Sequence, residues 1–173
     1  MLALTTLVRP AHYRSLYRFF IMNNAVKQFW LEYCNTSGVN TETPYQVWFF
    51  GNSEKMAGEL AKLVISGKKK ATASLVDFNE THPEVAPIDD GYSIVTDFKG
   101  SPLCVIQTTE IRHLPFDEVD AQFAFDEGEG DQTLEDWSDG HWRYFTKEAA
   151  ENGLEFNEKS LICCERFRLL YSK

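Results

Sequence analysis

Apolar and polar positions alternate along this chain in short, changing periods. From Asn24 to Cys34, Val26, Phe29, Trp30 and Tyr33 recur every three or four residues, the stripe of an amphipathic helix. Asn35 to Thr43 is polar, contains Gly38 and reads as a loop, and Tyr45 to Phe50 is aromatic and β-prone, a strand. A second helix follows, with Ser53 as its cap and Met56, Leu60, Leu63 and Val64 on one face. Gly67 is placed to end it, and Ala71 to Val76 leaves that turn as a strand. Asp77 to Asp90, with Pro83 and Pro87, reads as a surface loop.

Tyr92 to Asp97 and Leu103 to Thr109 are strands joined by the hairpin connection Phe98-Lys99-Gly100-Ser101. Pro115 opens a short helix that turns Phe116, Val119 and Phe123 inward. Thr133 caps another, in which Leu134, Trp137, His141, Trp142 and Phe145 share a broad face and Gly153 is the stop. Ser160 to Tyr171 is the last strand, with Leu161, Cys163, Phe167, Leu169 and Tyr171 expected on one side. Short strands interleaved with a few helices, without regular βαβ alternation, predict an α+β domain or a decorated barrel.

Composition changes this picture little: 43% hydrophobic, 25% charged and 14% aromatic residues over 173 positions suit one domain with a packed core. Charge changes it more. The net charge is −9, yet eleven acids between Glu110 and Asp139 face Arg112 alone, a local net of −10, which leaves the rest of the chain at +1. From Glu54 to Lys70, five lysines outnumber two glutamates. Such polarity argues against a general binder of long nucleic acid, whose affinity rests on neutralised phosphates, and leaves room for a local basic surface.

Cys34, Cys104, Cys163 and Cys164 form no Cys-x-x-Cys pair, and no His or Cys stands at zinc-like spacing, so free thiols in a reducing, cytoplasmic setting are expected, with neither metal nor cofactor. No apolar run approaches membrane-spanning length. Residues 1–21 carry Arg9, Arg14 and Arg18 without a compact apolar core. Met22-Asn23-Asn24 looks like a chain start, so 1–21 are expected to be an extension or flexible arm, with 22–44 a helix and loop packing on a domain at 45–173.

Three constellations could carry chemistry. Gly67-Lys68-Lys69-Lys70-Ala71-Thr72 follows a helix instead of preceding one, which excludes a phosphate-binding P-loop. Its lysines either complement the helix's negative end, or one turns inward beside Thr72, where desolvation would make it a base and the hydroxyl a nucleophile. Asp126-Glu127-Gly128-Glu129-Gly130-Asp131 is either a solvated acidic loop or a set of carboxylates converging on a lysine, a cation or a ligand hydroxyl. Its spacing does not fit an EF-hand. Trp137 and His141 lie on a helix whose aromatic face is either core or a stacking platform with one titratable group. Glu165, on the apolar side of the last strand, requires a partner, most simply a structural salt bridge.

Together and in this order, these stretches resemble the ASCH domain family. The resemblance is carried by Trp48-Phe49-Phe50-Gly51, Glu59 through Thr72, Phe123-Ala124, Glu127-Gly128-Glu129-Gly130-Asp131, Trp137 with His141, and Cys164-Glu165-Arg166-Phe167, over about residues 45–171. It implies a PUA-like mixed β-barrel with flanking helices, within the α+β class, and a cleft beside the barrel that binds RNA, a nucleotide or a modified nucleoside. Some members of the family are amidohydrolases of N4-acylated cytidines with a Lys/Thr/Glu set, and others are reported ribonucleases. By motif, Lys69 and Thr72 match that lysine and threonine, and Glu127, with Glu129 as the alternative, matches the acid. The expected ligand contacts are Lys62, Lys68, Lys70, Glu129, Asp131, Trp137 and His141. Enzyme, non-catalytic RNA- or ligand-binding module, and acidic docking domain remain open as rival functions.

Overall fold

The computed structural model describes residues 24–83 and 86–173. The expectation for residues 1–21 lies outside them. Helix α1 (Asn24–Ser37) leads to β1 (Tyr45–Trp48), α2 (Glu54–Ile65), β2 (Ala71–Leu75), α3 (Val76–Thr81), β3 (Tyr92–Thr96) and β4 (Pro102–Pro115). A single 3-10 turn, Phe116–Glu118, precedes α4 (Ala121–Glu127), α5 (Leu134–Glu151) and β5 (Leu161–Ser172). The strands form one mixed sheet in the order β1-β3-β4-β5-β2, with β1 and β3 parallel and every other pair antiparallel. β1 and β2 are its outer strands. The expected barrel is therefore met as a five-stranded mixed sheet with flanking helices, and the sheet is not closed.

Alternation along β3 and β4 explains how both sheet faces are covered. Ile94 and Val105 meet α1 through Val26, Phe29 and Trp30. Val95, Cys104 and Ile106 point the other way, to Ala61 and Val64 of α2 and to Phe167. A third cluster joins Ala71, Ala73 and Leu75 of β2 and Ile162 and Cys164 of β5 to Phe123, Trp137 and Phe145. The four cysteines are buried and unbridged, and burial pushes the Cys104 and Cys164 thiols up to about 12.

Several elements differ from expectation. The segment read as loop from Asp77 begins with α3, because Phe78 and Val76 bury against the core. β4 runs on through Pro115 instead of stopping at Thr109, since its polar residues find charged neighbours: Arg112 reaches Asp120 at 3.3 Å and Glu110 pairs with Arg166. The helix expected from Pro115 starts only at α4, where the Asp120 carboxylate accepts from Phe123 N–H at 2.8 Å. In β5 the single apolar side fails: Leu161 and Leu169 are exposed while Ile162 and Cys164 are buried. Register shifts opposite Val105/Ile106 and Thr108/Glu110 re-aim the side chains partway along the strand.

Candidate functional site

The site begins at the end of α2. Ser53 caps its start by accepting from Met56 N–H. Its end is a Schellman turn: Lys68 N–H donates to Leu63 C=O, Gly67 N–H donates to Val64 C=O, and Gly67 takes φ +75°. This reversal aims Lys69 inward, while Lys68 and Lys70 stay exposed. The acidic segment docks on the same turn. Lys70 N–H donates to Asp126 C=O at 2.7 Å, and Lys70 C=O accepts from Phe167 N–H. Arg166 holds Asp126 from β5 at 2.9 Å and lies over the Phe123 ring.

Lys69 is 2% exposed and Glu127 1%. Lys69 Nζ donates to Glu127 Oε2 at 2.7 Å and to Glu129 Oε1 at 2.5 Å, and it faces the Phe50 ring with 5.4 Å to the centroid. Burial alone would lower the Lys69 pKa, but Glu127 and then Glu129 reverse this and hold it above the ordinary lysine value. Lys69 is an ammonium in this arrangement.

Glu127 has two further partners. Trp137 Nε1–H donates to its Oε1 at 3.1 Å, and His141 Nε2 stands 3.5 Å from the same oxygen. The His141 ring also contacts Trp137 C=O through Nδ1 at 2.9 Å. A carbonyl oxygen only accepts, so Nδ1 carries a proton. A neutral ring would then aim the Nε2 lone pair at a carboxylate, and the imidazolium fits both contacts. Burial alone would lower the His141 pKa, and Glu127 outweighs it and raises it. Likewise burial would raise the Glu127 carboxyl, but Lys69 and then His141 hold it well below the usual carboxylate range.

Beside this cluster lies a cavity of about 250 Å³. Trp48, Phe49, Phe50, Trp137 and Tyr144 supply aromatic wall, and Thr72, Glu127, Glu129, Asp136 and His141 supply polar groups. Of the residues singled out from the sequence, Thr72, Glu127, Glu129, Trp137 and His141 meet here, and Lys69 binds the two glutamates without forming part of the wall. Lys62, Lys68 and Lys70 are exposed and do not line the cavity. Asp131 is exposed too, and its carboxylate accepts from Thr133 N–H and Oγ1–H at 2.8 and 2.7 Å, which shapes the loop ahead of α5. Glu165 accepts from Thr108 Oγ1–H at 2.6 Å on the ladder.

The sequence reading did not pick out Asp136 as a site residue, and it placed Tyr144 only on the aromatic helix of Trp137 and His141. The signal was available: Asp136, Gly140 and Tyr144 recur every four residues, a stripe adjoining Trp137 and His141 on α5. Among the described residues, no group of three or more His, Cys, Asp and Glu side chains is arranged to hold a metal ion. No helix among them is long and apolar enough to cross a membrane.

An ASCH domain model matches residues 46–171. An ASCH domain from Lactobacillus crispatus is 30% identical in sequence, with a TM-score of 0.78, over 88% of this chain and 99% of its own. A protein from Enterococcus faecalis is 34% identical, with a TM-score of 0.75, over 84% of this chain and 87% of its own. No curated protein matches the chain.

Proposed function

We propose, from the premise that the chain belongs to the ASCH domain family, a family associated with RNA binding, that its cavity binds a single nucleoside or an unstacked RNA base. The observation that carries this reading is the aromatic-walled cavity with a buried Lys69–Glu127–Glu129 cluster at its side. Its volume of about 250 Å³ is small beside the roughly 300–1,000 Å³ of drug-sized ligand sites, and suits one base with its sugar better than a strand. Aromatic faces stack on any base, and carboxylates accept from exocyclic amino groups such as N4 of cytosine. The lysines expected to hold phosphates lie outside the cavity, which favours recognition of the base over recognition of the backbone.

A hydrolytic version is favoured by one observation: Thr72 lines the same cavity as Glu127 and Glu129, the two carboxylates that Lys69 holds. In it, Thr72 Oγ attacks the acyl carbon of an N4-acylated cytidine and its proton passes to a carboxylate. The C–N bond then breaks, the amine leaves with that proton, and water cleaves the Thr72 ester to release the acid. Lys69, held as an ammonium, has no lone pair for the proton, so Glu129 takes the acceptor role and Lys69 orients both glutamates.

Calorimetric titration with cytidine and N4-acetylcytidine tests the binding reading, and absence of heat with both overturns it. Release of acetate from N4-acetylcytidine tests the hydrolytic one. Wild type is expected to turn over, and Glu129→Gln to lose about 10²–10⁴ in rate, the usual worth of general-base help. No turnover by wild type overturns that version and leaves the binding reading alone, and equal turnover by both removes Glu129 from the acceptor role.

A further inference from the structure

The formal charges around the cavity do not cancel. Lys69 and His141 are cations; Glu127 and Glu129 are the carboxylates they touch, and these four balance. Asp136 is left over. Its carboxylate lines the same cavity, and among the described residues it makes no ion pair or side-chain hydrogen bond, although its backbone N–H is capped by Thr133. The loop makes room for it: Gly130, at φ +49°, lies so close that a Cβ there would stand 1.7 Å from Asp136 Oδ2. Exposed in the first turn of α5, this carboxylate borders a space whose other walls include the aromatic side chains of Trp48, Phe50, Trp137 and Tyr144. Aromatic faces carry negative charge density and attract cations, the more so when these are desolvated.

We infer that the cavity selects a ligand bearing a positive charge on a flat ring, such as an N-alkylated nucleobase, over its neutral parent, with Asp136 as the residue that sets the preference. This rests on the nucleoside reading for the shape of the ligand, but the charge selection stands on the cavity alone. It also sets a direction against anions: a phosphate placed in the cavity would face Asp136 with no cation left to offset it.

The test is calorimetry on the full chain at neutral pH with two matched pairs. The first is 3-methylcytidine, a cation under these conditions, against cytidine. The second is 1-methylnicotinamide, a cation, against neutral nicotinamide, neither of them a nucleoside. The expected result is that each cation binds at least about tenfold more tightly than its neutral partner, in line with a desolvated cation–π contact and one carboxylate. In Asp136→Asn, which keeps the shape beside Gly130, both ratios are expected to fall several-fold, to what the aromatic walls alone supply. If cytidine and 3-methylcytidine bind equally, the charge selection is overturned and the nucleoside reading survives. If 1-methylnicotinamide binds and neither nucleoside does, the selection survives and the nucleoside reading is lost. If none of the four binds, both are overturned. A preference undiminished in Asp136→Asn removes Asp136 from the role.

Discussion

Lys69 owes its buried position to the Schellman turn that ends α2. In the string Lys68-Lys69-Lys70 nothing local separates the middle lysine from its neighbours. The Schellman turn does, by turning one of the three inward to carboxylates 58 and 60 positions away. The grouping of Lys69, Thr72 and Glu127 was legible because motif order carries it. Asp136 was only half legible, because its spacing from Gly140 and Tyr144 gives a shared helix face but not what that face meets. Removing the Lys69 charge leaves Glu127 buried without its main counter-ion, so Lys69→Met is expected to cost about 3–5 kcal/mol in urea unfolding. The double variant Lys69→Met/Glu127→Gln is expected to recover part of that loss. Equal stability of Lys69→Met and wild type would contradict the ion-pair account.

The same residues give stability a pH profile. The Glu127 carboxyl is depressed in the folded state, so its contribution is present above its ordinary value of 4.5 and is lost as pH falls below it. The His141 pKa is raised, so its contribution is complete below its ordinary value of 6.5 and is lost as pH rises through the folded value. Chemical unfolding across pH is thus expected to place the maximum between these values. Glu127→Gln flattens the acid limb, and His141→Gln flattens the alkaline limb.

At the scale of elements, the junction between α2's exit and the end of α4 holds the site together. Gly128 follows α4 at φ +70°, and a Cβ there would meet Lys68 C=O at 2.4 Å and Lys69 N at 2.9 Å. Gly67 has a similar φ of +75° with nothing within 4 Å. Gly67→Ala is expected to cost only the left-handed penalty of about 1–2 kcal/mol. Gly128→Ala is expected to cost more than Gly67→Ala and to weaken ligand binding, because backbone atoms must move apart. Thermal unfolding of the two variants side by side checks the order. Most elements were legible from period and capping. α3 was not, since prolines beyond it mask six helical residues anchored by Phe78. Nor was the far half of β4, whose Glu110-Ile111-Arg112-His113 looks unlike a strand until Arg166 and Asp120 supply its partners.

Over the whole molecule, much of the acid in the segment from Glu110 to Asp139 is answered internally: Glu110 and Asp126 by Arg166, Asp120 by Arg112, Asp117 by Lys159, and Glu127 and Glu129 by Lys69. What remains toward the cavity is acidic, with the lysines elsewhere. Affinity for a single-base ligand is therefore expected to change less than about twofold between roughly 50 and 200 mM salt, where a protein neutralising six to ten phosphates loses on the order of a thousandfold or more. A steep loss with salt would mean that phosphates carry the binding.

The strand order has a consequence for how the chain is made. Among the described strands β2 pairs only with β5, and β5 lies between β4 and β2 in the sheet. During synthesis, Leu75 is therefore joined to the growing polypeptide 86 positions before Leu161, the first residue of its partner strand. Until then β2 and the outer side of β4 present bare edges, the kind of surface on which nascent chains cross-pair. A product that stops short of Leu161 would keep both edges permanently, so such fragments should collect in the aggregated fraction instead of persisting as a smaller folded core.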